Sequence, residues 1–528
     1  MKDIYTLLQP LDFAIVAAYL VILIAIGYWV SKKRNKEDNL FLAGRSLGWT
    51  SIGFTMWGTN VGPSMLIASA SIGYTTGVVA GNFGWYAFPF IFLLAVVFAP
   101  RYLSAKVSTL PEFMGKRFGE STRSILAWYS IVTILISWLA LTLYSGGILV
   151  SQILNFPLWL SILTLVLVSA FFAIAGGLKA IAYTNVFQMI LLIVVSLIIT
   201  VVGVMKVGGP VALFEKTPAH YWNLLLPMDD KNYPWLAIAL GYPVMGVWFW
   251  CTDQSMVQSV LGAKNLKQGQ LGANFTGWLK IFDVALFIIP GIVCFILFPN
   301  LKNPDEAYMT MVTQLFPSGM TGLVMAVLIA ALVSTIDSAL NSLSTVFTMD
   351  IYIKNYKPGA TQNEINRIGR IVMMIGAAIA VALALGINSI KGLNLFDVFQ
   401  AVLGFIAPPM SVVFLFGVLW KKTTTRAANF ILSVGTIISI GTGILYLWVF
   451  PSNVYTFWPH FLLLSFYIFV VLAISAFVIS YFDKNYTPVT QHQLAFAEAP
   501  KPSRRVMFSW AVLIIVMISL YVLFNGHG

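Results

Sequence analysis

Apolar stretches of about 20 residues recur from end to end of this sequence, and a chain of that kind has few ways to fold. In hydrocarbon every backbone N–H and C=O needs an internal partner, so the spans are expected to be helices packed side by side. Fourteen are expected, near 11–31, 47–73, 77–100, 124–152, 157–176, 180–205, 234–261, 271–298, 319–351, 368–388, 394–419, 427–449, 457–482 and 507–524. The composition agrees, with 59% hydrophobic and only 9% charged residues. The longest connections, 208–233 and a polar, flexible loop at 483–506, are too short to be separate domains. The fold class is therefore an all-α polytopic membrane protein.

The net charge of +12 does not point to nucleic acid. If the first loop is cytoplasmic and the others alternate from it, 24 lysines and arginines fall on the cytoplasmic side, six fall outside, and Lys280 is left within a span. This is the positive-inside pattern; it places both termini outside a cell's inner (plasma) membrane. The first apolar run is long enough to stay as a span rather than to be cleaved as a signal. Cys251 and Cys294 both fall in spans, so no structural disulfide is expected. The glycines at 176 and 177 end a span and hold no phosphate.

One span carries a polar stripe. At about 100° per residue, Ser334, Thr335, Asp337, Ser338, Asn341, Ser342 and Thr345 fall within an arc of roughly 160°. Leu332, Val333, Ile336, Leu340, Leu343 and Phe347 fill the other side. Such a stripe must face a bundle interior or a wet cavity, and hard oxygen donors without His or Cys suit a hard cation.

Two spans carry helix-breaking signals near mid-membrane. Gly58, Gly62 and Pro63 interrupt the second, and Pro243 and Gly246, followed by Asp253, interrupt the seventh. Each opens a group of five spans, the pattern of an inverted-repeat transporter. The expected organisation is an extra helix and cytoplasmic loop at 1–46, a first repeat at 47–205 and an extracellular loop at 206–233. A second repeat at 234–422 and three further helices at 423–528 complete it.

Phe41-Leu-Ala-Gly-Arg-Ser46, Leu110-Pro-Glu-Phe113 with Lys116-Arg-Phe118, Ala175-Gly-Gly-Leu178, Trp250-Cys-Thr-Asp-Gln254, Thr348-Met-Asp-Ile-Tyr352 and Phe396-Asp-Val-Phe-Gln400 form a distinctive set. In these the chain resembles the sodium/solute symporters, and in particular the sodium/glucose cotransporter branch. The resemblance implies a LeuT-type fold of five plus five helices, with one extra helix before the core and three after. It also implies sodium as the coupled ion. The matching positions of a first sodium site are the carbonyls of Gly58, Val61 and Ala331 and the hydroxyls of Ser334 and Thr335. Relatives with two sodium ions carry an Asp on the fifth core helix, where this chain has Asn185. Asp337 and Ser338 stand where those relatives have hydroxyls, so a second site would be closed by Ser334, Asn185, Asp337 and Ser338.

For the solute, the resemblance points to mid-membrane, to Asn60, Lys280 and Gln400 and to Trp250 as a flat platform under a sugar ring. Lys280 has Asp283 or Asp253 as possible partners. Met65 stands where sugar transporters often carry a polar residue, Gly84 replaces a Glu, Ala87 a Ser and Trp138 an Asn, and the aromatic gate is Phe249 rather than Tyr. The expected activity is sodium-coupled uptake of a sugar or sugar-like solute by alternating access. A sugar acid such as sialic acid, a polyol or an amino acid is the alternative solute, and a non-transporting sensor the alternative function. An enzyme is disfavoured because His220, His460, His492 and His527 are scattered.

Overall fold

The computed structural model describes residues 9–32, 40–154, 156–388, 395–452, 454–483 and 502–526, and these contain helices joined by short connections. His492, His527 and residues 484–501 of the loop expected at 483–506 lie outside the described residues. The helices that make up the spans are α1 (Pro10–Lys32), α2 (Trp49–Asn60), α3 (Pro63–Thr76), α4 (Val78–Ser104), α5 (Glu120–Ser151), α6 (Leu158–Ile174) and α7 (Gly176–Val207). They continue as α8 (Trp235–Val247), α9 (Gln254–Leu261), α10 (Leu266–Leu297), α11 (Met320–Asn355), α12 (Gln362–Asn388) and α13 (Leu395–Leu419). The last are α14 (Thr425–Val449), α15 (Phe461–Phe482) and α16 (Arg504–Leu523). Among the described residues, twelve stretches are long and apolar enough to cross a bilayer unaided; the other two expected spans are the interrupted α2–α3 and the shorter α6.

The second span breaks where its sequence indicates. Val61 leaves helical geometry, Gly62 is extended, and Pro63 opens α3, where its missing N–H is no loss. The seventh span differs from the expectation. Pro243 sits inside α8, and the helix breaks ten residues later, at the extended Asp253 after a π-helical turn over Trp248–Thr252. The reason is local. The Ala239 carbonyl, which Pro243 cannot satisfy, accepts the Tyr86 hydroxyl at 3.3 Å. Gly246 lets α4 pack close, since a Cβ there would lie 2.4 Å from the Phe90 ring.

The helix with the polar stripe lies at the centre. Over its most apolar window α11 is 94% buried, against 28% for α1 and 22% for α16. α7 runs along α11, and α2 packs between α7 and α10. The extra helix is pinned to α11 by Asp12, whose Oδ1 accepts the Gly319 and Gly322 N–H groups at 2.7 Å each. Between α6 and α7 the chain turns at Gly177, with φ 58° and the Leu40 carbonyl 2.3 Å from where a Cβ would stand. Cys251 and Cys294 are both buried and free.

Candidate functional site

The break between α2 and α3 frees carbonyls directly opposite α11. The Gly62 N–H donates to the Asn60 carbonyl at 3.0 Å, not to Gly58 one turn back, and Pro63 has no N–H for Thr59. The ladder of α3 starts at the Gly62 carbonyl, which accepts from Leu66, so the Val61 carbonyl is passed over as well. Thr335 closes on this gap by donating to the Ala331 and Thr59 carbonyls at 3.1 and 3.3 Å. Ser334 Oγ is fully buried with no hydrogen-bond partner, and a Cβ on Gly58 would stand 3.1 Å from it. Freed carbonyls beside an unpartnered buried hydroxyl form a set of neutral oxygens that fits a hard monovalent cation.

One turn towards the Gly177 end, the polar stripe continues without adequate partners. Thr59 Oγ1 donates to Ser338 Oγ at 3.1 Å, and Ser338 Oγ donates to Asp337 Oδ1 at 3.4 Å. Asp337 Oδ2, both side-chain amide atoms of Asn185 and of Asn341, and Ser342 Oγ are buried and have no partner. No Lys or Arg pairs with Asp337 among the described residues. α7 and α11 are three spans apart and so run in opposite directions. Met189 of α7 and Ser334 both reach Gly58, since a Cβ there would lie 2.9 Å from Met189 Sδ. Asn185 therefore stands level with Asp337 and Ser338, one turn from the first oxygen set.

Beside the break is a cavity of about 840 Å³ counting the open solvent at its mouth. Asn60, Met65, Trp138, Phe249, Trp250 and Gln400 all line it, together with Ser69, Phe83, Tyr242, Met245 and Leu403. It lies on the side of both breaks that faces the 208–233 loop, where the Tyr221 hydroxyl bonds the Tyr74 carbonyl at 2.8 Å. Phe249 packs on Trp138 (5.3 Å between ring centroids) and edge-on to Trp250 (5.1 Å). Trp138 donates its Nε1 to Asp253 Oδ2 at 3.1 Å, while Asp253 Oδ1 caps α9 through the Ser255 and Met256 N–H groups. Asp253 is thus committed to the second break, and Lys280 pairs with Asp283.

Lys280 and Gly84 do not line the cavity. Lys280 is fully buried behind it, with Nζ bonded to Asn60 Oδ1 at 2.7 Å and 5.7 Å from the Trp250 ring centroid. Asp283 Oδ1 accepts the Trp57 indole N–H at 2.9 Å. Tyr242 and Met245 of α8 carry no sequence signal beyond their recurrence with Phe249, in the turn that follows, at i, i+3 and i+7. Thr59 and Trp57 were likewise visible only as neighbours of a break.

Below the cavity, hydrogen bonds tie α9 to its neighbours. Gln258 of α9 donates to the Phe41 carbonyl at 2.6 Å and to Thr345 Oγ1 of α11 at 3.1 Å. Gln254 accepts the Leu110 N–H at 2.8 Å.

A sequence model of the sodium:solute symporter family matches residues 40–435. Similar proteins include sodium/glucose cotransporter 4 of Danio rerio, 32% identical over 475 residues, covering 82% of this chain and 71% of that protein. Sodium/glucose cotransporter 1 of Ovis aries is 30% identical over 548 aligned positions, covering 94% and 82%. Sodium/myo-inositol cotransporter 2 of Homo sapiens is 31% identical over 470 residues, covering 82% and 70%. A solved outward-open, substrate-bound sodium-coupled sialic acid symporter superposes with a TM-score of 0.77 over 91% of this chain and 99% of that one. At 19% identity that likeness shows the fold alone, which is the LeuT type.

Proposed function

The chain belongs to the sodium:solute symporter family and is a sodium-coupled transporter rather than an enzyme, and from that premise we propose that its solute is a sugar or sugar-like molecule. The observation that carries this reading is the position of Asn60. It is the last residue of α2, its carbonyl is turned out of the helical ladder to accept the Gly62 N–H at the break, and its side chain lines the cavity. Next to it, the Thr59 carbonyl accepts the Thr335 hydroxyl of α11 at 3.3 Å, and a Cβ on Gly58 would stand 3.1 Å from Ser334 Oγ. One interrupted segment therefore serves both an ion and a solute, which is the geometry that coupling requires.

In this reading sodium is held by the Gly58, Val61 and Ala331 carbonyls with Ser334 and Thr335, and it draws α2–α3 onto α11. That fixes Asn60 in the cavity wall, where with Gln400 it meets solute hydroxyls while Trp250 lies against the apolar face of the ring. Phe249 closes over the solute. Opening on the opposite side requires the Gln254 and Gln258 bonds to part. With both termini outside a plasma membrane, as the loop charges favour, the cavity faces outward, and an inward-negative potential adds about 2.3 kcal/mol per charge per 100 mV. A second sodium between Asn185, Asp337 and Ser338 belongs to the same reading. The unpartnered Asp337 Oδ2 and Asn185 amide support it, because a buried carboxylate without a counter-ion is expensive.

A thermal-stability screen of sugars, polyols, sugar acids and amino acids, in sodium and in potassium, tests the solute class. Stabilisation by sugars or polyols in sodium alone is expected. Stabilisation by amino acids and by no sugar-like solute would overturn the assignment.

A further inference from the structure

A fully buried ammonium behind a solute cavity could serve to attract an anion, but its surroundings in this protein argue otherwise. Lys280 Nζ is already engaged by the Asp283 carboxylate and by Asn60 Oδ1. The other oxygen of Asp283 is held by the Trp57 indole, so both carboxylate oxygens are occupied and fixed. The carboxylate has room because residue 84 has no side chain: a Cβ on Gly84 would lie 2.8 Å from Asp283 Oδ2. The three helices that supply Trp57, Gly84 and the Lys280–Asp283 pair thus enclose one neutral unit. Asn60 and Trp250 stand between that unit and the cavity. Among the described residues none that lines the cavity is charged, and its polar side chains include Asn60, Ser69 and Gln400.

We propose that Asp283 acts as a built-in counter-ion that sets charge selectivity: it neutralises Lys280 from within the protein, so that the cavity accepts neutral hydroxylated solutes and rejects carboxylates. An arriving carboxylate would lose its hydration, meet no unpaired cation in the wall, and face the Asp283 charge behind it. A neutral ring finds hydrogen-bonding amides and an aromatic platform and leaves the ion pair intact. Asp283 is in this account a positioning and specificity-determining residue that does not touch the solute. The proposal rests on the sugar-like reading above and narrows it to neutral members of that class.

The test compares solutes that differ by one carboxylate, galactose with galacturonate and glucose with glucuronate, as ligands of the purified full chain in sodium. Binding is followed by thermal stabilisation and by inhibition of uptake in proteoliposomes. The wild type is expected to bind the neutral member of a pair at least about tenfold more tightly. Asp283→Asn leaves Lys280 without its counter-ion and is expected to shift the neutral-to-acid ratio by about tenfold or more towards the acid. The double substitution Lys280→Met with Asp283→Asn, which removes both charges, is expected to restore the neutral preference, a reversal that a merely structural role for Asp283 would not produce. The ratio within each variant cancels any loss of folded protein, and the double variant tests charge balance even if the single one folds poorly. Equal binding of both members by the wild type, or preference for the neutral sugar unchanged in Asp283→Asn, would overturn the counter-ion role and leave sodium symport standing. Binding of amino acids in place of either sugar would remove the sugar-like reading and the filter with it.

Discussion

Ser334 and Thr335 are adjacent hydroxyls on the same helix, yet the structure gives them different work, and replacing each by alanine separates the two roles. Thr335 Oγ1 already shares its one proton between the Ala331 and Thr59 carbonyls, so Thr335→Ala removes a bifurcated hydrogen bond, one branch of it between α11 and the α2–α3 break. At about 1 kcal/mol for the shared bond, plus about 0.8 for the buried methyl, the protein without sodium should lose about 2 kcal/mol. Ser334 Oγ has no partner, and a buried orphan hydroxyl costs about 1–3 kcal/mol. Ser334→Ala should therefore leave the sodium-free protein as stable as the wild type or slightly more so. In sodium the order reverses. Loss of one oxygen donor to a cation, at about 1.5–3 kcal/mol, weakens apparent sodium affinity by about 10- to 100-fold in Ser334→Ala. The assay is thermal unfolding in choline followed by sodium titration, with the sodium dependence of uptake measured in parallel. If Ser334→Ala destabilises the choline form as much as Thr335→Ala does, while its sodium affinity stays within about twofold of wild type, then Ser334 is a packing residue and the assignment fails.

Three further outcomes follow from the same geometry. Asp337→Ala should lower the sodium-to-solute ratio in proteoliposomes from two to one; a ratio of one in both proteins refutes the second cation. Gly58→Ala would bring a methyl to 2.9 Å from Met189 Sδ and 3.1 Å from Ser334 Oγ, so sodium affinity should fall more than tenfold while solute binding in the absence of sodium changes less; unaltered sodium affinity would contradict the placement. His460, at the mouth of α15, has its pKa pushed down from 6.5 to about 4, chiefly by burial, with Nδ1 accepting the Leu462 N–H and Nε2 set against the Asn232 carbonyl. The unfolded chain takes up this proton first, so the His460 contribution to stability is complete above about pH 6.5 and is lost as pH falls towards 4. Wild type and His460→Gln should therefore differ in pH dependence within that window, and parallel stability profiles there would refute the assignment.

Much of this organisation is legible in the sequence because bilayer thickness and backbone hydrogen bonding leave few alternatives. The spans follow from the lengths of the apolar runs, and the first break from Pro63, whose missing donor must fall at a helix start. The central place of the Ser334–Thr345 stripe follows from its period. The second break lies later than Pro243 suggests, because a proline is silent about what else can satisfy the carbonyl it abandons; here Tyr86, on another helix, does so for Ala239. The same limit explains Lys280. Its spacing from Asp283 shows that the two can pair, but whether the ammonium faces the cavity depends on Asn60, Trp57 and the space left at Gly84, which come from two other segments. Cavity residues such as Tyr242 and Met245 look like ordinary core residues until the helix facing them is known.

The central claim is that one broken helix couples sodium to a sugar-like solute. Tracer uptake by proteoliposomes of the purified chain, with an imposed inward sodium gradient and an inside-negative potential, tests it most directly. Accumulation of a neutral sugar or polyol above its equilibrium level is expected, abolished when potassium replaces sodium or when the sodium gradient is collapsed. Accumulation that is equal in potassium, or that follows a proton gradient and ignores sodium, would contradict it.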